Sequence, residues 1–424
     1  MVEHLFRQEA AKLIATLTGI FGIQNLNLAE DVVQEALVRA LQTWPYYGIP
    51  ENPSAWLMRT AKNLAVDVLR REKVFRQKEP EIILSIEQLP SGHGAPQEVQ
   101  FENEIKDDRL RLMFACCDPL IGAEAQVALA LKTLCGFGTV EIAKAFLTTE
   151  ATIAKRLTRA KQKIREAAIR LEIPVGEELD RRLDSVAQTL YLLFNEGYKA
   201  STGEKLLKEE LCQEAIRLTL FLVAHPAGNK PKIHALLALM LLNAARLPGR
   251  IDTQGNILRL EEQDRSRWDP ALIARGMFHL AQSAAGYVLS KYHLEAAIAA
   301  CHCAAPSYQA TDWPQILALY DQLVTLDDSA IVALNRAVAL ANVHGPLAGL
   351  KALEPVRQRG ELKSYYLLYA VLADFEERQA NFTEAADLFR RSRDLTELQS
   401  ERSFLSKRIQ ACEEQVAECS TTGG

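Results

Sequence analysis

Apolar residues recur at helical spacing along almost the whole chain, and no stretch shows the strict alternation of a half-buried strand. The pattern therefore predicts an all-α fold. Arg7 to Ile20 reads as a first helix. Asn27 and Glu30 have the spacing of a capping box, which starts a second helix near Leu28 and lets Pro45 stop it. Val32, Ala36 and Ala40 with Val33, Leu37 and Leu41 form its apolar side, while Asp31, Gln34, Glu35 and Arg39 stay polar. After the loop Tyr46–Glu51, Asn52 caps a third helix with Pro53 at its first position. Leu57, Ala61, Leu64 and Val68 face inward there. Trp56, Asn63, Asp67, Arg70 and Arg71 fall largely outside that stripe.

Punctuation divides the chain. Residues 1–73 form one helical unit. Residues 74–106 are charged and then Pro/Gly-rich, the composition of a flexible tether. Residues 107–172 form a second unit, in which Pro119 separates a first helix from Ala123–Leu134, and Gly136 and Gly138 end the latter. From 180 to 418 helix follows helix, broken between Ala244 and Pro270 by a densely charged insert expected to be a salt-bridged loop packed on helices. We divide this half into a helical extension, 180–290, and paired helices near the tetratricopeptide period, 291–418.

Thr139–Ala168 carries the clearest chemistry. Thr139 caps a short helix, Val140–Phe146; Leu147-Thr148-Thr149 turns; Thr149 caps a longer helix. Ile153, Leu157, Ala160, Ile164 and Ala168 make one buried stripe. Thr152, Lys155, Arg156, Arg159 and Lys163 lie on the other side as candidate DNA contacts. A solvated face is the bland alternative. Charge of nearly one sign, in a chain whose formal net charge is -5, favours a helix-turn-helix whose second helix enters the major groove.

Composition narrows the rest. Hydrophobic residues at 48% and charged residues at 24% describe a folded chain of 424 residues, large enough for two or three domains. The eight cysteines lack zinc-finger spacing and read as buried free thiols, so no metal and no cofactor is expected. There is no catalytic triad, glycine-rich phosphate loop or HExxH, so no enzyme is expected. The first residues lack the form of a secretory signal, and the longest apolar run, Ala235–Leu242, is too short to span a bilayer. The expectation is a cytoplasmic protein without a membrane partner.

The string EIAKAFLTTEATIAKRLTRAKQKIR resembles region 4 of bacterial extracytoplasmic-function (ECF) sigma factors, and AEDVVQEAL with NPSAWLMRTAKNLAVDVLRRE resembles their region 2. EEQDRSRWD resembles the group with a C-terminal TPR-like extension. The resemblance implies core RNA polymerase and promoter DNA as partners. It implies that Asp31, Gln34 and Glu35 face the polymerase. Trp56, Asn63, Asp67, Arg70 and Arg71 then face the −10 element, and the second helix of the helix-turn-helix faces the −35 element. Tyr46 and Tyr47 either receive a flipped base or pack in their loop. The repeats are expected to hold a protein or peptide, or to control activity in cis. Two departures stand out. Ala154 replaces a frequent basic residue, so fine promoter specificity does not carry over. Asp118 replaces a frequent histidine after Cys116-Cys117, which weakens a metal or redox-switch reading of that pair further. The alternative from another class is a one-component helix-turn-helix regulator with a TPR-like sensor, which has no use for a polymerase-binding helix.

Overall fold

The computed structural model describes residues 2–71, 108–146, 148–198, 209–250, 252, 258–359 and 362–422. The tether assigned to 74–106 lies outside them, as does Leu147 of the turn. Among the described residues 77% are helical and none is in a strand, so the fold is all-α. It divides into two compact units, Met1–Leu193 and Phe194–Gly424.

The first unit opens with α1 (Val2–Phe21), α2 (Leu26–Tyr47) and α3 (Pro53–Arg71), which pack on one another. Leu13, Leu17, Val33, Ala36, Ala40, Leu57 and Ala61 close their shared core. Asn52 caps α3 as its sequence position predicts, accepting the N–H of Ala55 at 2.9 Å.

Two expectations about α2 fail. The helix starts at Leu26, with Asn25 as its cap residue, so Asn27 and Glu30 are interior positions and form no capping box. Their side chains both turn to Lys161, 131 and more residues away. Pro45 does not stop the helix either. In the last turn its missing N–H forfeits a single bond, and the chain continues to Gly48. Gly48 adopts φ 83° and donates its N–H to the carbonyl of Trp44 at 2.9 Å.

The second half of this unit comprises α4 (residues 108–116), α5 (Ala123–Leu134), α6 (Thr139–Ala145) and α7 (Glu150–Glu166). α8 (Glu177–Tyr198) follows, and its residues up to Leu193 belong to the same unit. Arg182 of α8 is buried, paired with buried Asp118 at 2.7 Å and donating to the carbonyl of Phe114 at 3.2 Å. Gln126 of α5 is equally buried. Its amide donates to the carbonyls of Asp118 (2.7 Å) and Ile121 (2.8 Å), and its oxygen accepts from Ser185 (3.0 Å) and Thr189 (3.2 Å). α8 is thus fastened to α4 and α5 by a buried polar network as well as by Leu183, Val186 and Leu190.

The second unit contains α9 (Glu209–Val223), α10 (Pro231–Ala244), α11 (Pro270–Ser283), α12 (Lys291–Ala304) and α13 (Trp313–Leu326). α14 (Ala330–His344), α15 (Pro346–Arg359), α16 (Tyr366–Glu377), α17 (Phe382–Asp394) and α18 (Gln399–Thr422) complete it. α10 is apolar all round and correspondingly buried on nearly every side. From α12 onward each helix packs on its chain neighbour, with Ala337, Ala341 and Ala373 at close contacts.

Between α10 and α11 the described part of the charged insert holds two short 3-10 turns and no α-helix. It is a loop packed on helices. Arg265 donates to the carbonyls of His302 and Ala305, both at 2.6 Å, and to the hydroxyl of Thr311 at 3.1 Å. The same guanidinium lies over the ring of buried Trp268.

Candidate nucleic-acid interface

The two helices expected to form the helix-turn-helix are α6 and α7. Thr149 caps α7, its hydroxyl accepting the N–H of Thr152 at 3.2 Å. Ile153, Leu157, Ala160 and Ile164 are buried as one stripe against α5 and α6. Two details differ from the sequence reading. Gly138, not Thr139, is the cap residue of α6: its N–H donates to the Glu141 carboxylate at 2.6 Å, and the Thr139 hydroxyl donates instead to Glu150 of α7 at 2.9 Å. Ala168 leaves the stripe because α7 ends at Glu166. Ala168 adopts φ 49° and is exposed, and Ile169 takes the buried place.

Lys155, Arg159 and Lys163 project from α7 into solvent. Thr152 is half-buried and shares a hydrogen bond with the Thr149 hydroxyl at 2.9 Å. Arg156 is half-buried and ion-paired with the exposed Glu124 at 2.7 Å. The basic face is therefore continuous, with one of its cations held by a carboxylate of the neighbouring helix.

Lys161 departs from this face. Position 161 lies four residues after Leu157 and three before Ile164, at the edge of the buried stripe, and its side chain is only 15% exposed. Its ammonium donates to Glu30 and to Asn27 of α2, both at 2.7 Å. That placement is legible from spacing alone, but the basic composition of the helix masks it.

On α2, Asp31, Gln34 and Glu35 are exposed, with Glu35 paired to Arg39 at 3.1 Å. Val38 and Leu41 share that outer side and are 45% and 58% exposed, so Leu41 does not belong to the apolar side assigned to it. Trp56 of α3 is half-buried, edge-on to Trp44 with centroids 5.6 Å apart, and Asn63 and Asp67 are exposed. α3 extends through Arg71, but the side chains of Arg70 and Arg71 lie outside the described residues. Tyr46 and Tyr47 do not open the expected loop: they belong to the last turn of α2 and are 84% and 87% exposed.

Cys116 and Cys117, at the end of α4, are fully buried. Burial pushes both thiols up, Cys117 to about 12, so they remain protonated and unreactive. Among the described residues no group of three or more His, Cys, Asp or Glu side chains is placed to hold a metal ion.

Residues 5–74 match the model of sigma-70 region 2, the segment that forms α1 to α3. The chain is 31% identical over 138 residues to the ECF RNA polymerase sigma factor SigL of Mycobacterium tuberculosis, covering 72% of that protein and 32% of this chain. The chain belongs to the ECF sigma factor family. It is also 22% identical over 165 residues to the ECF RNA polymerase sigma factor SigX of Bacillus subtilis, across 83% of that protein and 38% of this chain. An uncharacterized protein of Rhizobium meliloti matches end to end, 36% identical over 387 residues, 91% of this chain and 90% of its own length. Residues 182–284 match a family of unknown function, DUF6596, so the extension beyond the sigma regions is a shared module and not a private tail. No solved structure matches the chain. No described helix is long and apolar enough to cross a membrane.

Proposed function

We propose that this chain is a sigma subunit that binds core RNA polymerase, places it on a promoter and starts opening the duplex. The observation that carries the reading is the pairing, in one unit, of a region 2 helix with an exposed acidic and apolar outer side and a helix-turn-helix with an exposed basic face. A regulator acting alone needs the second and not the first.

In this reading Asp31, Gln34 and Glu35, flanked by exposed Val38 and Leu41, form the polymerase contact. Mixed charge and apolar area on one helix face suits a protein partner better than a phosphate backbone. Asn63, Asp67 and the α3 terminus with Arg70 and Arg71 face the −10 element, with Trp56 completing that side. Tyr46 and Tyr47, exposed in the last turn of α2, offer rings on which an unstacked base can rest. Thr152, Lys155, Arg156, Arg159 and Lys163 face the −35 element, the long cations taking phosphates or base edges in the major groove. The helical array after α12 is the surface for a protein or peptide partner, or for control in cis.

The deciding experiment is run-off transcription with core polymerase and a promoter library. Sequence-dependent transcripts support the reading. Binding to DNA without core polymerase, and no transcript with it, supports a one-component regulator instead. Reversal of Asp31 and Glu35 to Lys is expected to abolish co-purification with core polymerase while helical circular dichroism is unchanged.

A further inference from the structure

We propose that the first unit is a latched, closed form of the two promoter-reading modules, with Lys161 of α7 as the bolt and Glu30 and Asn27 of α2 as its socket. The inference rests on the sigma reading above.

The modules touch in several places. Lys161 crosses from the helix-turn-helix to region 2 and donates to Glu30 and Asn27 at 2.7 Å each. Glu30 is 7% exposed and Lys161 15%, so the pair is shielded from salt. α1 packs on α5, and the 3-10 turn Ile23–Asn25 packs on α7. At Gly19 of α1 a Cβ would lie 3.0 Å from the Asp108 carboxyl of α4, so glycine there permits the approach. A cavity of about 480 Å³ runs along the seam, with Asp31 and Glu35 on one wall and Arg165 of α7 on the other. The acidic side of α2 thus lies across the seam from Arg165, on the flank of α7 that adjoins its buried stripe.

This closed form cannot read both elements. The −10 and −35 elements are about 25 base pairs apart, roughly 85 Å along B-form DNA at 3.4 Å per step. Modules joined by hydrogen bonds of 2.7 Å cannot span that distance and must part. The 36 residues from 72 to 107 reach up to about 120 Å when extended, so the chain length permits it.

The latch is also built to release. Only one Glu30 oxygen is used: Oε2 takes Lys161, while Oε1 is buried without a partner. A half-satisfied carboxylate gains hydration when the seam opens, which offsets part of the ion pair lost. Opening also uncovers the seam beside Asp31 and Glu35, the side of α2 read above as the polymerase contact.

The test is single-molecule energy transfer in the full-length chain, with dyes carried by non-natural residues at Gln42 and Val140, both exposed. The free wild-type chain is expected to show one short-distance population. Glu30→Gln, which keeps size and removes the charge, should raise the long-distance fraction about tenfold, since Lys161 then lies buried without its counter-ion. The exchange of Glu30→Lys with Lys161→Glu should restore the short distance, which separates latch loss from misfolding. Holoenzyme on promoter DNA should show the long distance alone. A long distance in the free wild-type chain, no change in Glu30→Gln, or a short distance persisting in the promoter complex each overturns the latch. If core polymerase neither binds nor transcribes, the sigma reading falls, and the free-chain distances still decide whether the latch exists.

Discussion

In the sigma reading Arg156 enters the DNA-facing side of α7 already paired, 2.7 Å from Glu124, whose side chain is 73% exposed. An exposed pair of this kind is worth about 0–1 kcal/mol, so DNA phosphate can displace the carboxylate at little cost. Glu124→Ala is therefore expected to tighten promoter binding by holoenzyme by up to about fivefold, read by mobility shift at moderate salt. Arg159, on the same face, stands in solvent. Arg159→Ala should weaken binding by about 1–3 kcal/mol with relaxed preference at one base pair if it reads a base edge. A uniform loss with a shallower salt slope would instead assign it to a phosphate. A different residue-scale effect resides in the second unit. Burial, reinforced by Arg246 and Arg265, lowers the His302 imidazole to about 3, and burial with His234 and Arg275 nearby lowers His279 to about 4. Unfolded histidine titrates near 6.5, so between the two values the unfolded chain binds more protons. The stability these groups contribute is full above pH 6.5 and is lost as pH falls toward 3–4. The melting temperature of the second unit should fall between pH 7.5 and 5, and His302→Gln should flatten that slope.

At the scale of elements, the buried Asp118–Arg182 pair decides whether α8 stays with the helix-turn-helix. The two side chains are 9% and 6% exposed. Removing one partner of such a pair costs about 3–5 kcal/mol because the other charge remains buried, so Arg182→Ala should lower the stability of the first unit by that order in urea. Replacing both partners, Asp118→Leu with Arg182→Met, should cost less than either alone. The elements themselves were largely legible. The bounds of α5 follow from Pro119 and from Gly136 and Gly138, and the buried stripe of α7, Ala168 apart, from apolar spacing, because a helix that packs on one face must repeat that face. Asn27 and Glu30 were misread for a physical reason: a local cap and a distant ammonium are bound by the same side-chain oxygens, and sequence shows only the local option. Pro45 misled because its cost depends on how many turns remain beyond it. Lys161 is basic among basic neighbours, so only its position at the edge of the stripe separates it from the outer cations. The polar outer residues of α2 and α7 were legible as surfaces, but the Glu124–Arg156 contact joins positions 32 apart that no periodicity links.

At the scale of the molecule, the compact units do not end where the helix-turn-helix ends. The first runs to Leu193, well inside α8, and so takes in the opening residues of the segment that matches DUF6596. A cut after Pro174 would remove Arg182, Ser185 and Thr189 together. Buried Asp118 would then lack its cation, Gln126 would lose both hydroxyl donors, and the apolar side shared with Leu183, Val186 and Leu190 would face water. Three such core side chains alone represent about 1.5–3 kcal/mol each when fully buried, comparable in sum to the whole stability of a domain. Promoter recognition in the sigma reading requires nothing beyond α7, so the extension should act on transcription first by holding region 4 in shape. Residues 1–174 are accordingly expected to melt earlier than the first unit does in the full chain, to expose apolar surface to a hydrophobic dye, and to lose run-off activity. A cut after Tyr198 keeps all of α8 and should restore both the melting transition and a large share of activity. If residues 1–174 melt and transcribe like the full chain, α8 is a passenger on region 4. If 1–198 folds as well as the full chain yet stays inactive, the extension acts through the surface of the second unit, and the array from α12 to α18 becomes the place to look for its partner.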